Sequence, residues 1–321
     1  MPTRQVKRRS ERLKAQSPAR SAAPARSKSA GAPAPVLVAT DGSRIAHAAI
    51  RLASLMAERG AWAPQAVTVF EPLPVSVADM TLAPPAPIYY ETLMESAAGL
   101  VQRQVRRYGG ATWNLLVEFG RSAPTITRLA KEQGARIIVI GLGRHGKLAR
   151  LFGAETATRV ARQSDVPVLA VAGSARELPR TALVAMDFGE SSVRAAREAI
   201  ALLQPGGRLH LLHVRWAMNG ETAPDTDWER TYALGVEQGF KRLVYQLGHD
   251  NKEIEITTEL RLGKVIETTL KVAKEIAADV IAVGSHSQNF VDRMIIGFTP
   301  AYLLRAARCS VLVAPPVKGA D

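Results

Sequence analysis

Three glycines, Gly141, Gly143 and Gly146, follow directly on the branched apolar run Ile137 to Ile140, among the basic residues Arg144, Lys147 and Arg150. A fourth, Gly153, precedes an apolar-periodic segment. These residue types suit the holding of an anion. Glycine lets a backbone come close to a phosphate, and the free N–H groups at the start of a helix point at it. The elements that must position them are a strand buried on both faces, the loop, a helix, and a second strand from Val166 to Val171. His145 lies in the same loop, but no second His, Cys or Asp/Glu stands near it at ligand spacing, so no metal site is expected.

The stretch occurs twice. DVIAVGSHSQNFVDRMIIGFTPAYLLRAARCSVLVA, residues 279 to 314, repeats the order of strand, polar loop with His286, glycine, helix and valine-rich strand. A period near domain size indicates duplication of a domain. Each copy also opens alike. VLVATDGS places Asp41 at the end of a strand, with Ser43 or Asp41 as candidate caps for a helix from Ile45 to Glu58. ALVAMDFGESS places Asp187 in the same position. Alternating strands and helices follow in both halves, with strands expected over 65–70, 112–118, 209–214 and 254–260, and helices over 89–108, 123–133, 192–203, 227–247 and 264–277. The pattern predicts an α/β protein made of two tandem doubly wound parallel-sheet domains, residues 35–173 and 180–316, joined by a linker from Gly173 to Arg180. The crevice at the carboxyl ends of strands one and four is the expected ligand site. The final strands, Val168–Val171 and Val311–Ala314, are expected to meet at the joint of the two halves, since each would otherwise leave an apolar edge unpaired.

An apolar content of 47% lets each half build a core, and no apolar run approaches the length of a membrane span. No apolar segment follows the basic start, so a cytoplasmic protein is expected. Cys309 is the single cysteine and opens a buried strand, which makes it a core residue. Residues 1–34 hold nine Lys and Arg against Glu11 alone, eight of the thirteen net positive charges. This Ala/Pro/Ser/Arg-rich stretch is expected to be a disordered basic tail. It is either a nonspecific anchor for polyanions or a solubilising extension.

The chain resembles the universal stress protein family in its tandem two-domain form, from Val36 to Pro315. The likeness rests on VLVATDGS and ALVAMDFGESS, on TVFEP and LHV at the second strands, and on the two glycine loops with their valine-rich final strands. The resemblance implies a Rossmann-like, adenine nucleotide alpha hydrolase-like fold, and a non-catalytic sensor or regulator of the stress response that binds ATP. It points to Asp41, Val69, Gly141, Gly143 and Gly153 in the first half, and to Asp187, Val214, Gly284 and Gly297 in the second.

Both copies depart from the family's G-x-x-G, nine residues, G-[ST]. Only Leu142 separates Gly141 from Gly143, and Ala154-Glu155 replaces the hydroxyl residue, so a carboxylate opposes a polyphosphate there unless cations offset it. In the second copy Ser287 replaces a glycine and Phe298 the hydroxyl residue, and Asp292 adds a negative charge beside Arg293. The first crevice is therefore expected to bind ATP better than the second. Two other readings stand beside this one: a ligand-free interaction module with degenerate sites, and a slow ATP-hydrolysing enzyme. Association into a larger assembly is open. No G-x-S-x-G elbow or P-loop is present, and nothing in the sequence pairs a nucleophile with a base. His210 and His213, three apart on one strand, are expected to face opposite sides of the sheet.

Overall fold

Apolar β-branched runs form strands here because both faces of the sheet they build are covered by helices. The computed structural model describes residues 33–60, 62–71, 87–109, 113–143, 154–216, 227–249, 251–285 and 298–317, which belong to one unit beginning at Pro33. The tail before Pro33 and the loops 144–153 and 286–297 lie outside the described residues. So do Gly146, Gly153, Ser287, Gly297 and both loop histidines.

In chain order the first half comprises β1 (Ala34–Ala39), α1 (Ala46–Glu58), β2 (Trp62–Phe70), α2 (Pro87–Tyr108), β3 (Leu115–Phe119), α3 (Ser122–Glu132), β4 (Ile137–Leu142), α4 (Ala154–Gln163) and β5 (Val168–Ala172). The second comprises β6 (Thr181–Ala185), α5 (Glu190–Leu202), β7 (Arg208–Arg215), α6 (Asp227–Gly248), β8 (Glu255–Leu262), α7 (Val265–Glu275), β9 (Val280–Gly284), α8 (Phe298–Ala306) and β10 (Ser310–Ala314). Strand β1 starts inside the stretch read as tail, because Ala34 pairs with Trp62. Strand β3 begins only at Leu115, later than its sequence suggested.

The strands form one sheet in the order β3-β2-β1-β4-β5-β10-β9-β6-β7-β8. Neighbours run parallel within each half, and the two final strands meet antiparallel, Leu169 opposite Leu312. Ser310 Oγ accepts a hydrogen bond from Ala172 N at 3.1 Å across this joint. The pairing buries two apolar edges at once. One core lies beneath α1, α2, α5 and α6 and the other beneath α3, α4, α7 and α8, and both run through the two halves. Side chains cross the joint as well. Arg59 donates to Leu203 O at 2.7 Å, and Arg136 lies over the Trp62 ring while reaching Glu198 at 3.4 Å. No described helix is long and apolar enough to cross a membrane.

Candidate functional site

The register brings the predicted residues to one end of the sheet. Ala39 pairs with Val67 on one side and Ile140 on the other, so Asp41, Val69 and Gly141 all lie at the carboxyl ends of three neighbouring parallel strands. The second half repeats this. Ala185 pairs with Leu212 and Val283, which places Asp187, Val214 and Gly284 together.

Neither expected side-chain cap forms. The residue before α1 is Ile45, which makes no capping bond, and the turn is closed instead by Ala46 N to Ser43 O and His47 N to Arg44 O. Asp41 Oδ1 accepts from Ser43 N at 2.9 Å, and Asp187 Oδ1 accepts from Gly189 N at 2.9 Å. Each carboxylate thus shapes its own three-residue turn through one oxygen. The intervening residue takes a left-handed conformation in both copies, Gly42 at φ 77° and Phe188 at φ 61°.

That shared backbone carries different side chains, and the two crevices differ accordingly. Among the described residues, a Cβ at Gly42 would meet only Val101 Cγ2, at 3.5 Å, so these residues leave the space above the turn clear. Helix α2 is pinned beside it by a buried Gln104, which accepts from Thr40 Oγ1 at 2.7 Å and donates to Ser43 O at 2.7 Å. Ser43 Oγ is buried without a hydrogen-bond partner among the described residues. Such an orphan costs about 1–3 kcal/mol unless something polar reaches it. In the second half Phe188 fills the equivalent space. Its ring packs on Phe240 at 5.0 Å and His213 at 5.3 Å, hard against Gly239. His213 is held by Met186 O at 2.6 Å and Tyr232 Oη at 2.7 Å, and Trp228 stacks on Tyr232. Arg215 lies over Trp228 and binds Glu229 at 2.6 Å, which fastens the start of α6 to β7.

The strand-four glycines have a packing role besides any ligand role. A Cβ at Gly141 would come within 2.8 Å of Ile45 O, and one at Gly284 within 2.7 Å of Ser191 Cβ. Glycine there lets the strand-one helix start directly against strand four. A Cβ at Gly143 would meet the side chain of Ile45, its flexible end Cδ1 at 2.6 Å and Cγ2 at 3.4 Å. Gly143 O accepts from Ala154 N at 3.2 Å, so α4 begins beside the end of β4. Glu155, the acid expected to oppose a phosphate, pairs along the helix with Arg159 and is largely exposed.

A universal stress protein family model matches this chain twice, over residues 34–172 and 179–315. The chain belongs to the universal stress protein family. Within that family it is similar to universal stress protein G of Shigella flexneri, 27% identical over 129 residues that make up 39% of this chain and 89% of the relative. The fold of a universal stress protein from Archaeoglobus fulgidus DSM 4304 matches with a TM-score of 0.61 at 22% identity, covering 88% of this chain and 98% of that one. A candidate universal stress protein of Pseudomonas aeruginosa UCBPP-PA14 matches with a TM-score of 0.56 at 16% identity, over 89% and 95%.

This tandem universal stress protein also contains a polar cluster that its sequence did not reveal. His210 and His213 do face opposite sides of the sheet. On the side opposite His213, His210 Nδ1 lies 2.7 Å from Thr257 Oγ1 and Nε2 lies 3.0 Å from Glu259 Oε2. Burial raises the Glu259 pKa, but hydrogen bonds from Arg261 and His210 outweigh it and hold the carboxyl below its ordinary value. A hydroxyl, an imidazole and a carboxylate in line can move a proton, though the cluster sits on the β8 edge, outside both crevices. The β7–β8 register assembles the cluster by setting His210 opposite Thr257. On α1, burial lowers the His47 pKa, and Arg44, Arg107 and Arg51 lower it further. No group of three His, Cys, Asp or Glu suited to a metal occurs among the described residues.

Proposed function

We propose that this protein is a non-catalytic sensor or regulator of the stress-protein type that binds one adenine nucleotide, ATP, in the first crevice and none in the second. The contrast between Gly42 and Phe188 carries this reading. The same turn is open in one copy and filled by an aromatic side chain in the other. The Ser43 hydroxyl supports it, because a ligand oxygen or nitrogen would satisfy a group that has no partner among the described residues. Asp41, Ser43 and Val69 would hold the nucleoside, and Gly141, Gly143 and the start of α4 the phosphates. Asp187, Val214 and Gly284 would keep only their structural roles.

Calorimetric titration of the full chain with ATP tests this. One site is expected, weakened at least about tenfold by Asp41→Asn through the lost charge-assisted hydrogen bonds, and unchanged by Asp187→Asn. Two equal sites, or loss of binding on Asp187→Asn alone, would overturn the assignment. Sustained ATP turnover abolished by Asp41→Asn would overturn the non-catalytic part. The ligand-free interaction module is favoured by the filled second crevice, and it becomes the better reading if ATP does not bind at all.

A further inference from the structure

A cavity of about 780 Å³ lies at the joint of the two halves, lined by no residue of either crevice. Its size falls within the ~300–1,000 Å³ of small-molecule sites. One wall is the linker, and hydrogen bonds hold that wall in place. Asp279 Oδ2 accepts from Arg180 N at 2.8 Å and Thr181 N at 3.0 Å, and Gln204 Nε2 donates to Leu178 O at 2.6 Å. Ala175 N bonds Ala172 O at 2.9 Å at the linker's other end. The apolar part of the lining includes Leu52, Leu178, Leu270 and Ile281, drawn from both halves and the linker.

The charged lining is unbalanced. Arg176, Arg180, Lys271, Lys274 and Arg308 stand against Glu177 and Asp279, and the Asp279 carboxylate is already engaged by backbone N–H groups. Lys274 and Arg308 form no ion pair with a described residue. The matching groove of the first half, between α3 and α4, differs in both respects. It holds only about 360 Å³ and has no linker across it. There Arg128 is held by Glu118 at 3.0 Å and Glu132 at 2.8 Å, whereas its counterpart Lys271 lies 3.9 Å from Glu275; Lys131 stands where α7 has Lys274, and the acid Asp165 stands in place of Arg308. The duplicated fold alone therefore yields a smaller groove with an acid, Asp165, in the place of Arg308. The linker and the second copy's side chains make a larger one with uncompensated cations beside apolar surface.

We propose that this joint cavity binds a small amphipathic organic anion, its apolar body against the partly exposed Leu178 and Leu270 and its phosphate, sulfonate or carboxylate group toward Lys274 and Arg308. The fluorescent sulfonate 1-anilinonaphthalene-8-sulfonate, titrated into the full chain, is a suitable probe. Saturable binding with one probe per chain is expected. The double variant Lys274→Glu/Arg308→Glu should weaken it at least about tenfold, since charge-assisted hydrogen bonds are lost and repulsion replaces them. Ala306→Trp, at an exposed lining position, should weaken it by filling space, whereas Lys241→Glu on the exposed face of α6 should not. Circular dichroism melting shows whether each variant is folded. Absence of saturable binding to the native chain, or native-like binding by both folded cavity variants, would overturn the proposal.

Discussion

Replacing Phe188 by alanine and by glycine separates two opposing effects at one position. The ring is half-buried against Phe240, His213 and Gly239, so truncation should cost about 3 kcal/mol, the low end for a buried phenylalanine. The backbone there has φ 61°, a conformation that costs a residue with a Cβ roughly 1–2 kcal/mol. Alanine keeps that cost and glycine removes it, while glycine's greater freedom in the unfolded chain returns about 0.5–1 kcal/mol. Phe188→Gly should therefore be less stable than the native protein by about 2 kcal/mol, yet more stable than Phe188→Ala by ~1 kcal/mol. In thermal unfolding this places the glycine variant roughly 2 °C above the alanine variant. If alanine equals or exceeds glycine, the strain at this turn is not what the backbone indicates. Calorimetry on Phe188→Gly should also reveal a second, weaker ATP site. Should the stability order hold and no second site appear, the aromatic side chain is not what closes the crevice.

A related test concerns Ala277, at φ 50° just after α7, where Ala278 N to Ala273 O at 2.8 Å closes a Schellman turn. The same turn after α3 uses Gly134 at φ 61°, so Ala277→Gly should stabilise by about 1 kcal/mol, and a lowered melting temperature would contradict this. Glu259 gives a pH prediction. Its folded pKa is lowered, so its contribution is present above the unfolded value of roughly 4.3 and is lost as pH falls through the folded value. Urea unfolding should find Glu259→Gln destabilised at neutral pH, with the difference from the native protein closing below about pH 4. A difference that is constant from pH 3 to 8 would show that the carboxylate's charge is not responsible.

Much of this architecture was legible in local pattern. Runs such as Ile137–Ile140 and Val311–Ala314 are too apolar for anything but strands covered on both faces, and the repeat at near-domain spacing implied two equivalent sheets. That β5 and β10 would seek a partner followed from their apolar edges. The positions of Asp41, Val69 and Gly141 at one crevice followed from the strand–loop–helix order, because parallel strands with right-handed crossovers put every carboxyl end on the same side.

What the sequence could not decide were matters of close approach between distant segments. DGS and DFGESS read alike as turn and cap signals, yet no side-chain cap forms, because the aspartates bend back on their own turns and Ile45 and Gly189 begin the helices. Phe188 looked like one more residue of a turn. Only packing against Phe240 and Gly239, some fifty residues away, fixes where its ring lies. The Thr257–His210–Glu259 cluster and the cationic joint cavity arise in the same way, from strand register and from a linker tied across a duplicated fold. Secondary structure is written in short-range periodicity that one chain displays. Which side chains share a space depends on contacts between residues far apart in sequence, and these exist only once the sheet has closed around its cores.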